Sequence, residues 1–98
     1  MTMTEIEHKP SIIKIITAFY PDAKIYLFGS YARGTAKRSS DIDVAIDVGK
    51  RLNLHERQFL WNLLDALPIL QKIDLVDMHA IPDDMRESIL KKGVPWKV

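Results

Sequence analysis

Ile42, Val44, Ile46 and Val48 alternate with Asp41, Asp43, Ala45 and Asp47, and this alternation constrains the chain more than any other feature. A period of two is the repeat of an extended strand, whose successive side chains point to opposite faces. One face here is β-branched and apolar, as a sheet packed on a core requires. The other carries three carboxylates, which repel one another unless a cation sits among them. Upstream, Phe28-Gly29-Ser30 places a glycine–serine turn beside a short helix start, offering backbone N–H groups and a hydroxyl to an anion. Alone, the acidic strand reads equally well as an edge strand with an acidic solvent side. With the turn in front of it, the pair Asp41 and Asp43 suits a nucleoside triphosphate whose charge is neutralised by Mg²⁺ on oxygen ligands.

The 98 residues read as one domain, 1–98, large enough for a modest core and too short for a second, acceptor-binding domain. A net charge of +1 gives no bulk attraction to nucleic acid or to a membrane surface, so neither is expected as a partner. The absence of cysteine excludes disulfides and thiolate zinc sites. His8, His55 and His79 are scattered without ligand spacing, which argues against a histidine zinc site. Met1 to Pro10 has no apolar signal core and no apolar run reaches membrane-spanning length, so a cytoplasmic location is expected.

Helix and strand alternate along the chain. Ile12, Ile13, Ile15, Ile16 and Phe19 form a helical stripe from Ser11 to Phe19, with Pro10 and Ser11 as start signals. Lys24 to Phe28 is a short buried strand running into Gly29. Ser30 is the expected N-cap of a turn over Tyr31-Ala32-Arg33, which Gly34 stops. Thr35 to Ser40 is a polar, basic loop before the acidic strand. Leu54 to Leu67 reads as a helix with Phe59, Leu60, Leu63, Leu64 and Leu67 on its apolar side, broken by Pro68. Lys72 to Met78 is a third strand. A last helix opens at Ile81-Pro82-Asp83-Asp84 and runs to Lys92, its acidic first turn and basic last turn suiting the helix dipole, with Gly93 as C-cap. Trp61 is expected in the core or at an interface. Val94 to Val98 is a tail in which Trp96 is exposed unless it docks, and spare apolar residues of this kind suggest a partner. A small sheet covered by helices follows, α/β or α+β in class.

Asp74 lies between Ile73 and Leu75, an acid in a strand expected to be central. Burial there is costly unless the charge is paired or metal-bound. A structural Asp, capping a loop or pairing with a base, is one reading. The other is that Asp74 joins Asp41 and Asp43 in a three-carboxylate site, with Asp77 on the opposite face by parity.

Phe28-Gly29-Ser30-Tyr31-Ala32-Arg33-Gly34, then Ser40-Asp41-Ile42-Asp43-Val44-Ala45-Ile46, resembles the signature of the minimal nucleotidyltransferases, the smallest members of the DNA polymerase beta-like nucleotidyltransferase superfamily. That pattern is Gly-Ser, ten residues, then Asp-x-Asp, and this chain meets it without a gap. Lys72-Ile73-Asp74-Leu75-Val76-Asp77 resembles the later acidic strand. The resemblance implies a polymerase beta-like palm, a small mixed sheet flanked by helices. It implies that Gly29 and Ser30 hold the triphosphate of ATP, and that Asp41 and Asp43 hold Mg²⁺, as two ions. It further implies that Asp74 activates the attacking hydroxyl while touching one metal. Arg33, inside the motif, and Lys37 and Arg38, after it, are candidates for stabilising phosphate charge; for Lys37 and Arg38 a solvated basic loop is the competing reading.

Family members of this length are commonly paired with a small helical HEPN toxin that cleaves RNA, as its antitoxin. The resemblance therefore implies transfer of AMP from ATP to a toxin tyrosine, within a hetero-oligomer. Two alternatives stand beside it. One is a non-catalytic antitoxin that blocks its partner sterically, which the retention of Gly29, Ser30 and all three aspartates disfavours. The other is adenylyl transfer to a small molecule, for which this chain has little room.

Overall fold

A computed structural model describes residues 8–37 and 39–98. Among them the elements run α1 (Lys9–Phe19), β1 (Lys24–Phe28), α2 (Gly29–Arg33), β2 (Ile42–Asp47), α3 (Leu54–Asp65), β3 (Ile73–Asp77), α4 (Asp83–Lys92) and β4 (Val94–Lys97). The strands form one mixed sheet in the order β3-β2-β1-β4. β1 pairs antiparallel with both β2 and β4, and β2 pairs parallel with β3. The parallel pair needs a crossover connection, and α3 supplies it. This is the small mixed sheet with flanking helices that the sequence implies.

The alternation in β2 divides the sheet into two faces. Ile42, Val44 and Ile46 join Ile25 and Leu27 of β1, Ile12 and Ile16 of α1, and Leu60 and Leu64 of α3 in the main core. The other face is not simply solvated: Tyr26, Ala45 and Met78 pack with Ile89 of α4 in a smaller cluster. The acidic side chains at positions 43 and 74 are consequently half-buried rather than open to water.

Four local expectations are corrected. Ser30 lies within α2, and the N-cap position falls on Phe28, an extended residue that makes no side-chain cap bond. The apolar side of α3 is narrower than its leucines and phenylalanine suggest. Phe59 is 48% exposed, packing edge-on against Phe19 at 4.9 Å at the rim between α1 and α3. β3 is an edge strand, because β2 and β1 take the centre of the sheet and β3 pairs with β2 alone. Finally, the C-terminal segment is no tail: Val94–Lys97 is a strand on β1, and Trp96 is buried in the main core. Pairing by β1 on both sides gives Trp96 the docking surface that sequence alone could not supply. Trp61 is half-buried, with the Lys72 ammonium 5.9 Å above its ring.

The crossover is anchored by polar contacts. The Asn53 side chain accepts from the Glu56 N–H while the Glu56 carboxylate accepts from the Asn53 N–H, a reciprocal cap at the start of α3. Tyr20 Oη donates to Glu56 at 2.7 Å, tying the end of α1 to α3. That hydroxyl, with the Asn53 N–H and Lys50, holds the Glu56 carboxyl down at about 2. Asp77, buried at the end of β3, accepts from the Leu52 N–H at 2.8 Å and the His79 N–H at 2.9 Å. It stands on the face opposite Asp74, as parity requires, and is structural.

Candidate active site

β1 delivers the chain directly into the turn. Gly29 takes φ +73 and Gly34 φ +75, so α2 is entered and left through left-handed glycines. At Gly29 there is also no room: a Cβ would overlap the Asp43 carboxylate. No side chain caps the start of α2, so its first N–H groups can donate to a ligand placed there. These donors therefore lie against the carboxylate face, since Phe28 pairs with Asp43 across the sheet.

Asp43 in turn sits abreast of Asp74 in the parallel β2–β3 register. Asp41 precedes β2, exposed, on the same parity as Asp43. Burial and the charges of Asp74 and Asp41 push the Asp43 carboxyl up to about 6, against the opposing pull of Arg33. A site that resists holding its own negative charge is one in which a cation is favourable. Among the described residues no three acidic or histidine side chains enclose a cation by themselves. Mg²⁺ does not require such a cage, since it is commonly held by one or two carboxylates together with substrate phosphates. The donor set thus fits Mg²⁺ carried in on a nucleotide.

A cleft of about 380 Å³ opens beside this pair, lined by Phe28, Gly29, Ser30, Ala32, Arg33 and Asp43 and, from α4, by Ser88, Ile89, Lys92 and Gly93. The structure thus gathers Gly29, Ser30, Arg33 and Asp43 in one place, with Asp74 beside Asp43. Lys37 is not brought to the cleft; its exposed side chain lies on a loop that folds on itself through Lys37 N–H to Ser40 Oγ at 2.8 Å and Ser40 N–H to Lys37 O at 3.0 Å. Arg38 lies outside the described residues. His79 pairs with Asp47 at 2.7 Å, at the opposite end of β2 from Asp43. Sequence reasoning missed the α4 wall. Ser88 and Lys92 are four apart on one helical face, a signal present in the sequence but absorbed into the reading of the basic last turn as dipole compensation.

Sheet order, glycine-entered turn and facing carboxylates together define a nucleotidyltransferase-type fold. The chain belongs to the Polymerase beta, Nucleotidyltransferase family, which it matches over residues 11–95. It is 34% identical over 84 residues to the protein adenylyltransferase MntA of Shewanella oneidensis, a match that spans 84% of this chain but only 59% of that relative. A crystal structure of a toxin–antitoxin with AMP-PNP is similar at a TM-score of 0.78 and 31% identity, over 90% of this chain and 71% of the other. A tri-AMPylated Shewanella oneidensis HEPN toxin in complex with MNT antitoxin is similar at a TM-score of 0.71 and 27% identity, over 91% of this chain and 68% of the other. Among the described residues no helix is long and apolar enough to cross a membrane.

Proposed function

We propose that this chain, as a single domain over 1–98, is a cytoplasmic protein adenylyltransferase. It acts as the antitoxin of a pair, moving AMP from ATP to a tyrosine hydroxyl of a HEPN-type helical partner. The observation that carries the reading is the contact of Gly29 with Asp43: phosphate-binding backbone and carboxylates meet with no side chain between them. The similarity to toxin–antitoxin complexes, one with AMP-PNP and one with an AMPylated toxin, supports the choice of nucleotide and acceptor.

In this reading Gly29 and Ser30 receive the triphosphate, and Arg33 neutralises part of its charge. Asp41, Asp43 and Asp74 would hold two Mg²⁺ ions, which when bound lower the pKa of the nucleophile and neutralise the leaving pyrophosphate. Asp74 accepts the acceptor's proton. The tyrosine oxygen bonds to the α-phosphorus, the bond to the α–β bridging oxygen breaks, and pyrophosphate leaves with that electron pair. The modification adds bulk and negative charge where the partner must bind RNA.

Incubation of the purified chain with its co-encoded helical partner, labelled ATP and Mg²⁺ tests the proposal. The partner should gain the mass of one or more AMP units on tyrosine. Asp74→Asn should stop labelling while leaving ATP binding in place, because it removes the proton acceptor and not the cradle. A partner that binds tightly yet stays unlabelled would make the chain a steric antitoxin instead.

A further inference from the structure

Two helices line the cleft beside Gly29, and of these only α2 carries the nucleotide contacts assigned above. The other wall is the last turn of α4, which contributes Ser88, Lys92 and Gly93. Gly93 sets how near that wall stands. Its φ of −73 is open to any residue, but a Cβ there would lie 2.5 Å from the Ile89 carbonyl oxygen and 3.1 Å from that of Leu27. The end of α4 is thereby pressed backbone to backbone against β1, just ahead of Phe28 and the Gly29 turn. Lys92 is exposed and makes no ion pair among the described residues.

Compensation of the helix dipole accounts for a basic last turn, but not for which lysine faces the cleft. Lys91 and Lys92 both sit at the end of α4, and Lys92 alone of the two lines the cavity. With Arg33 on α2, it gives the cleft a cation on each wall, while Asp43 supplies the acidic end. A polyphosphate reaching from the carboxylates into the cleft would pass between the two cations.

We infer that Lys92 is a further substrate-binding residue, gripping the β- and γ-phosphates of the nucleotide from the α4 side while Arg33 holds them from α2. This rests on the nucleotidyl-transfer reading given above. The assignment makes α4 part of the nucleotide site rather than a cover for the second face of the sheet. It also gives the departing pyrophosphate a partner on a separate element from the glycine turn.

Calorimetric titration of the full chain with ATP, pyrophosphate and AMP, each with Mg²⁺, separates the possibilities. Lys92→Met should weaken ATP and pyrophosphate by roughly tenfold to a hundredfold, the value of a lost hydrogen bond to a charged group, and should leave AMP nearly unchanged. Lys92→Arg should restore most of the loss. Lys91→Met, removing the same charge one residue away, should bind ATP like the parent. Lys92 is exposed, so an unchanged melting temperature is expected and checks that the variant folds. Parent-like ATP binding by Lys92→Met would overturn the inference while leaving the proposed function intact. Equal losses in the two methionine variants would overturn it too, reducing the effect to net charge. If the parent chain binds neither ATP nor pyrophosphate, the nucleotidyl-transfer reading itself fails, and the inference with it.

Discussion

Asp43 is where the demands of folding and of chemistry conflict. Its carboxyl, pushed up to about 6 by burial and by Asp74 and Asp41, ordinarily titrates near 3.8. The folded state therefore holds this proton more tightly than the unfolded chain does. The stabilisation is complete below about pH 4 and is lost as pH rises through about 6. Without metal, Asp43→Asn should melt higher than the parent at pH 7 and converge with it towards pH 4. Solvent reaches part of Asp43, so the gain at pH 7 should be about 1 kcal/mol rather than the full value of the shift. The same variant should lose AMP transfer. Thermal melts at several pH values check the first outcome, and an unchanged pH profile would remove Asp43 as the source of strain. Gly29 shows the converse: Gly29→Ala places a Cβ at φ +73 against the Asp43 carboxylate, and denaturant titration should show a loss of about 1–3 kcal/mol together with weaker nucleotide binding.

At the scale of elements, the sequence exposed what is local and concealed what depends on neighbours. The acidic strand, the glycine turn and the start of α3 at Leu54 are written in short-range patterns, so their placement was legible. The position of β3 at the sheet edge was not, because nothing within Ile73–Asp77 records whether a second strand pairs with it. The α4 wall was hidden for a similar reason. Ser88 and Lys92 become part of a cleft only when Gly93 meets the Leu27 carbonyl, a contact between distant segments. Asp77 sits between these cases: parity separated it from Asp74, yet its role emerges only from the loop it receives. Asp77→Ala would leave the buried Leu52 N–H without its acceptor, and should cost about 1–3 kcal/mol in chemical denaturation. Nucleotide affinity, measured on the folded variant, should stay near that of the parent, which distinguishes Asp77 from the aspartates on the other face.

The whole molecule is closed by its outermost strand. Trp96 fills the main core from β4, and its indole Nε1 has no hydrogen-bond partner among the described residues. Trp96→Ala should therefore destabilise the chain by about 3–5 kcal/mol, as removal of a large core aromatic does. Trp96→Phe keeps much of the volume and discards an N–H that is otherwise costly, so its loss should stay below about 1.5 kcal/mol. Unfolding followed by circular dichroism orders the two variants; equal losses would mean that β4 is held by its ladder bonds rather than by the indole. The pairing of β4 with β1 also has a consequence in time. A ribosome releases β1, the glycine turn and the acidic strands before the segment that seats α4 against them. A half-synthesised chain thus displays its carboxylates without the α4 side of the cleft. The cleft beside Gly29 is complete only once β4 has paired with β1.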